Sequence, residues 1–325
     1  MEIVLTSLAF VAAALCAGVM GYAIQRGGTC TVAAVDEVID KRRLNRLTAM
    51  VEASLWVAGG LVLAQCLHLL GKTPAGYAVS QWTVVGGALL GLGAYVNRAC
   101  VFGAIARFGS GEWAYVATPI GFYVGCASVG MVFTPPAPHR LAEGSPVLQA
   151  SVWAALPFVV FAVWRLARPL FGVRSAALAR DVAGRVWSPH AATTVIGIAF
   201  FFMLLLVGTW AYTEALADLA RGMSMSLVAK ILLLLALFLG ALWGGWTAGR
   251  FRSTRISAVQ LLRCFAGGVL MGWGSLLIPG ANDGLILIGM PLLWPYAWLA
   301  FLTMCVSIGA ALLAQKALAP RLASD

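Results

Sequence analysis

Charge is what this sequence has least of. Charged residues fill 10% of its 325 positions, while hydrophobic residues fill 61% and the mean hydropathy is +0.91. A soluble domain carries roughly 25% charged residues. So sparse a supply cannot cover a water-facing surface, which excludes a soluble globular protein and points to an all-α integral membrane protein. Cysteine pairs are missing too. The seven cysteines include no CxxC, so neither a zinc site nor a dithiol motif is expected, and no metal or cofactor. No GxxxxGK[ST] loop occurs, which argues against ATP-driven pumping by this chain alone. Nor does a basic segment precede the first apolar run, where Glu2 is the only charge. That run is expected to stay as a membrane helix and not to be cleaved as a signal peptide. The net charge of +10 would suit nucleic acid in a soluble protein. In a membrane protein it belongs to cytoplasmic loops, and no nucleic-acid partner is expected.

What is present is a series of apolar runs of about 18 residues or more, enough to cross a bilayer as helices. They fall at 3–24, 47–70, 79–96, 113–133, 147–164, 191–208, 227–248, 261–278 and 292–314, predicting about nine transmembrane helices. The cations between them give an orientation. With the N-terminus outside, sixteen Lys and Arg fall on the cytoplasmic side. They are Lys41, Arg42, Arg43, Arg46, Arg107, Arg165, Arg168, Arg174, Arg180, Arg185, Arg250, Arg252, Arg255, Arg263, Lys316 and Arg321. Only Lys72, Arg140, Arg221 and Lys230 fall outside. That bias predicts an inner-membrane protein with the C-terminus in the cytoplasm.

The sequence also repeats. GGALLGLGAYVNRACVFGAI at 86–105 aligns with GGVLMGWGSLLIPGANDGLI at 267–286, and the shared positions include Gly86/Gly267, Gly93/Gly274 and Gly103/Gly284. The offset is 267 − 86 = 181, and it also carries 3–24 onto 184–205 and 113–133 onto 294–314. Two four-helix repeats joined by the 147–164 helix follow, and an odd linker inverts the second against the first. The organisation expected is a first repeat at 1–134, a linker helix and basic loop at 135–181, and a second repeat at 182–325.

Three glycine-rich stretches interrupt these helices, at 26–30, 97–100 and 279–284. Short apolar pieces follow at 101–108 and 285–290, too short to span, which read as half-helices or re-entrant segments. Irregular backbone at membrane depth is tolerated only inside the protein or along a cavity. Its free amides, at half-helix N-termini, suit an anion or polar substrate. Candidate pathway residues are therefore Gly27, Gly28 and Cys30, then Arg98, Cys100 and Gly103, then Ala281, Asn282, Asp283 and Gly284. Asn282 reads as an N-cap and Gly284 as a close-approach glycine. The Gly87/Gly91 and Gly268/Gly272 pairs read as faces bringing the broken helices together. Arg26 and Arg98 would be costly facing lipid and are expected at the interior or an interface, although Arg26 also reads as the basic end of the first helix. The other cysteines sit in apolar runs and read as packing residues.

GYAIQRGGTC, GLGAYVNRACVFG and the later GWG…PGANDG resemble the YeeE/YedE family of sulfur transporters, over most of the chain. The resemblance implies a nine-helix inverted-repeat fold and cysteines at pore constrictions that touch a sulfur-bearing substrate as it passes inward. Cys30 matches the first motif's cysteine and Cys100 the second's. The third family motif also holds a cysteine, and Ala281/Asn282 occupies that place here. The function implied is uptake of a small sulfur-containing anion, thiosulfate or a related oxyanion, across the lipid bilayer, with room for a cytosolic sulfur acceptor. The chain is not expected to be an enzyme. The rival readings are a membrane thiol-disulfide oxidoreductase using Cys30 and Cys100, and a structural membrane subunit.

Overall fold

The computed structural model describes residues 2–71, 74–134, 137–142, 144–150, 153, 155–171, 186–222 and 227–322. Backbone in lipid must satisfy its own hydrogen bonds. The described residues do so with helices, and the pairing outside them is a lone bridge between Tyr77 and Arg140. In order these are α1 (Glu2–Gly27), α2 (Thr31–Lys41), α3 (Asn45–Cys66), α4 (Gln81–Asn97), α5 (Val101–Gly109) and α6 (Ala117–Val132). Next come a short α7 (Pro146–Gln149) and the linker helix α8 (Ala155–Phe171). The remainder are α9 (Pro189–Val207), α10 (Tyr212–Ala220), α11 (Leu227–Thr247), α12 (Ala258–Leu277), α13 (Asn282–Gly284, prolonged by a π turn at Leu285–Gly289) and α14 (Pro295–Leu322).

These helices are apolar on every side, so one face packs inward and the other meets lipid. On α1, Ala13, Ala17, Met20 and Ala23 are buried, while Leu8, Leu15 and Val19 are exposed. On α11, Leu233, Leu237 and Ala241 turn in and Leu235, Leu239, Trp243 and Trp246 turn out. Lipid gives no hydrophobic push between helices, so close backbone approach through small residues holds them. α4 and α12 cross by such contacts. A Cβ on Gly86 would stand 2.7 Å from the Gly274 carbonyl oxygen, and one on Gly274 2.6 Å from that of Gly86. Gly93 and Gly267 oppose each other's carbonyls in the same way, at 2.7 Å each. This corrects one expectation. Gly87 and Gly91 lie against Ala300 and Met304 of α14, and Gly268 and Gly272 against Thr118 and Phe122 of α6. They seat each broken helix on its neighbour and do not join the two.

The element order recurs. Tyr212 and Asn282 begin short helices 181 residues after Thr31 and Val101 begin theirs (212 − 31 and 282 − 101). Packing recurs as well. α1 lies on α11 as α9 lies on α3, and α4 lies on α14 as α12 lies on α6.

Among the described residues seven helical stretches are long and apolar enough to cross a membrane. They are Ser7–Lys41, Asn45–Cys66, Gln81–Gly109, Trp113–Val132, Pro189–Val207, Val228–Thr247 and Pro295–Leu318. An eighth is Ala258–Leu277 with Asn282–Gly289, bent by 50° at the break. The difference from nine lies at the linker. The helix described there begins at Ala155, its apolar part Ala155–Ala167 is shorter than a span, and the 147–164 run expected for it lies partly outside the described residues. Arg165 docks that helix by its Nε–H to Glu52 Oε1 at 2.8 Å, and Glu52 also holds His190 at the start of α9. Lys72, Arg174, Arg180 and Arg185 from the charge bias lie outside the described residues, as does part of the 135–181 linker.

Candidate functional site

Each break resets the chain through a left-handed residue before a new helix starts. Gly28 (φ 56), Gly208 (φ 82) and Gly280 (φ 147) supply three of these turns, where a Cβ would be strained. Arg98 (φ 58) supplies the fourth without being glycine. The neighbouring Asn97 holds that turn, its amide donating to the Ala99 carbonyl at 2.7 Å while its side-chain oxygen accepts from Thr118 at 3.0 Å. Four residues then stand as extended N-caps: Cys30, Cys100, Ala211 and Ala281. Their carbonyls accept the first helical bonds, from Ala34, Ala104, Ala215 and Leu285. The cap of α13 is therefore Ala281, not Asn282, which is the first helical residue. The three sequence breaks hold, and a fourth occurs at Ala211 where no break was expected.

The half-helix starts converge. Cys30 and Cys100 are buried within electrostatic reach of each other, and both cysteines are free. The amide of Thr31 donates to Cys100 Sγ at 3.1 Å, and its hydroxyl donates to Asn282 Oδ1 at 3.2 Å. Thr31 thus ties α2 to both α5 and α13. Gly103 faces Cys30 so closely that a Cβ would stand 2.5 Å from its sulfur. The Asp283 carboxylate is buried and accepts from the Thr213 amide at 3.2 Å and from the Thr213 hydroxyl. It caps the facing half-helix α10. Gly284 lets the Glu214 carboxylate come near, its Oε1 being 3.3 Å from where a Cβ would stand. Two buried donors here have no acceptor among the described residues, Asn282 Nδ2 and the Tyr212 hydroxyl.

Two cavities approach this knot from opposite ends. The larger, about 630 Å³, reaches Gly28, Cys30 and Gly103 and carries Arg98, Arg107, Arg250 and Arg263 against a single carboxylate, Asp36. The smaller, about 250 Å³, reaches Thr213, Pro279, Gly280 and Ala281 and carries Glu214, Asp218 and Arg221. Arg263 and Leu276, one at each cavity, lie on the same helix about 20 Å apart at 1.5 Å per residue. Between the cavities Thr31, Cys100 and Asn282 have no exposure at all. The two cavities do not meet at those residues.

Most of the expected residues meet here, some in other roles. Arg98 lies exposed on the wall of the large cavity. Arg26 is buried and donates to the Tyr22 hydroxyl at 2.7 Å and to Thr247 Oγ1 at 3.0 Å. Gly27 packs on Ala192 and does not line the large cavity, while the Gly28 carbonyl accepts from Arg46 at 3.1 Å. Thr31, Tyr212, Thr213 and Glu214 escaped the sequence reading. The signal for the last three was the offset itself, which places Tyr212 opposite Thr31. Among the described residues no group of three or more His, Cys, Asp or Glu could hold a metal ion.

Comparison with known proteins adds two findings. The family described as Sulphur transport matches residues 26–312. The thiosulfate transporter TsuA of Escherichia coli (strain K12) is 23% identical over 331 aligned residues, which cover 90% of this chain and 91% of that protein.

Proposed function

The chain belongs to the Sulphur transport family and is a transporter, not an enzyme; from that premise we propose that it imports thiosulfate or a closely related sulfur oxyanion through the two cavities, past Cys30 and Cys100. The observation carrying this reading is the pair of neighbouring buried thiols between a polar cavity and an arginine-lined one. Sulfur is large and polarisable, and a thiol is a weak donor suited to another sulfur. The half-helix amides and the unpaired Asn282 Nδ2 serve the oxyanion end.

In this reading the small cavity faces outward and the arginine cavity faces the cytoplasm of a bacterial inner membrane. The excess of loop cations supports that orientation. The recurrent element order supports two repeats, 1–134 and 182–325, inverted about the site and joined through 135–181. The anion enters at Ala281, meets Asn282 and the two thiols, and leaves into the field of Arg98, Arg107, Arg250 and Arg263. Thr31 must release both Cys100 and Asn282 for it to pass. A cytosolic acceptor would collect the sulfur compound at the arginine cavity. Uptake of radiolabelled thiosulfate by cells lacking other importers tests the function. Accumulation that requires Cys100 is expected, and accumulation unchanged in a Cys30→Ser/Cys100→Ser double variant would defeat the thiol pathway.

A further inference from the structure

Resting on that reading, the charge of the substrate raises a question of drive. Thiosulfate is a dianion, and moving inward it works twice against a potential that is negative inside. The small cavity adds to the opposition, for the entry route passes Glu214, Asp218 and Asp283.

These carboxylates are not equivalent. Asp218 is paired with Lys230 at 2.6 Å. Asp283 is held by the amide and hydroxyl of Thr213, so its charge is met by the N-terminus of half-helix α10. Glu214 makes no hydrogen bond or ion pair with any described residue. It borders the cavity and lies against Gly284, one residue beyond Asp283. Its ionisable surroundings are Asp283 on α13, Asp218 and Tyr212 on α10 with Arg221 just beyond it, Lys230 on α11, Tyr296 on α14 and Tyr77 on the connection before α4. Cys126 on α6 faces Arg221. A second feature points to an occupant. The Tyr212 hydroxyl is buried without an acceptor and lies within electrostatic reach of both Asp283 and Cys100. A donor left empty there costs stability unless something arrives to use it.

We propose that Glu214 takes a proton from the small cavity and carries it inward with the sulfur oxyanion, making the protein a proton-coupled symporter. Ionised, Glu214 and Asp283 form a double negative charge beside the entry route. Protonated, Glu214 removes one of those charges and becomes a donor. Tyr212, between this pair and Cys100, supplies the hydroxyl over which the proton moves as the anion passes.

The test uses purified protein in liposomes with an entrapped pH dye and the membrane potential clamped. Labelled thiosulfate uptake and lumen acidification are read together. Acidification that tracks uptake is expected, with uptake rising roughly tenfold per unit fall in outside pH while Glu214 is ionised. Glu214→Gln should insert normally, lose acidification and flatten the pH profile. Thiosulfate uptake without acidification overturns the coupling and leaves the transport reading standing. Uptake driven by a sodium gradient, or a wild-type pH profile in Glu214→Gln, also overturns it. No thiosulfate uptake by the wild type at any pH overturns both readings.

Discussion

Two junctions in this molecule share a backbone and differ in chemistry. At one, Cys30 and Cys100 cap α2 and α5; at the other, Ala211 and Ala281 cap α10 and α13. All four residues are extended and start a helix, and none makes a side-chain cap. The acceptor facing the free amides is what changes. The Thr31 amide meets a thiol sulfur, whereas the Thr213 amide meets the Asp283 carboxylate. A carboxylate holds an amide about twice as strongly as a neutral acceptor. An incoming anion can therefore displace Cys100 from Thr31 far more easily than Asp283 from Thr213. At the cysteine junction the Thr31 amide is thus held by a weak sulfur acceptor, and at the alanine junction the Thr213 amide is held by a charged one.

The comparison breaks most sharply at the thiols. Cys100→Ser should abolish thiosulfate uptake while leaving the protein in the membrane, because a hydroxyl keeps the shape but not the polarisable sulfur. Immunoblots of membranes beside uptake curves check it, and a fully active variant would make the two junctions functionally alike. Gly103→Ala comes next. Its Cβ would press on Cys30, costing roughly 1–3 kcal/mol of overpacking. Markedly reduced uptake and a lower melting temperature in detergent are expected. At the other junction, Asn282→Ala should cut uptake about tenfold, the effect of losing about 1.4 kcal/mol from a hydrogen bond to a charged group. Wild-type uptake there would confine the substrate to the cysteines. Asp283→Asn should be milder, since Asn still accepts from Thr213 and also suits a helix start. A large loss would make Asp283 a charge carrier and not a fixed cap. The smallest effect concerns sidedness. Reporter fusions after Arg140 and after Arg250 should signal opposite faces without altering uptake, and a common face would undo the assignment of the cavities.

Much of this could be read from the residues alone, for identifiable reasons. Glycine beside Arg and Cys inside an apolar run marks a break, because lipid tolerates that backbone only when it is buried, and Cys30, Cys100 and Gly103 do meet. The third glycine-rich turn at 279–284 likewise ends a helix. What the pattern could not give was the partner of each glycine. Gly87 and Gly86 are adjacent letters, yet one meets α14 and the other α12, since a helix turns about 100° per residue. The cap at Ala281 was hidden because Asn is the better capping type, and here a break in backbone geometry outranked propensity. Thr31 was missed because its role depends on two residues distant in sequence, Cys100 and Asn282. Glu214 was missed because its helix carries no glycine-rich warning beyond Gly208.

The α4–α12 seam has a consequence for how this protein tolerates change. At Gly86/Gly274 and Gly93/Gly267 a main-chain carbonyl oxygen stands in the way of any new side chain, joined by Ile278 at Gly86 and by Asn97 at Gly267. A smaller residue opposite cannot make room, because glycine is already the smallest. No second substitution can rescue the first, so the seam is closed to mutational drift. The four cap positions obey another rule, for a thiol and a methyl group both occupy the same extended backbone there. One scaffold can thus exchange the chemistry lining its passage while the crossing that carries it stays fixed.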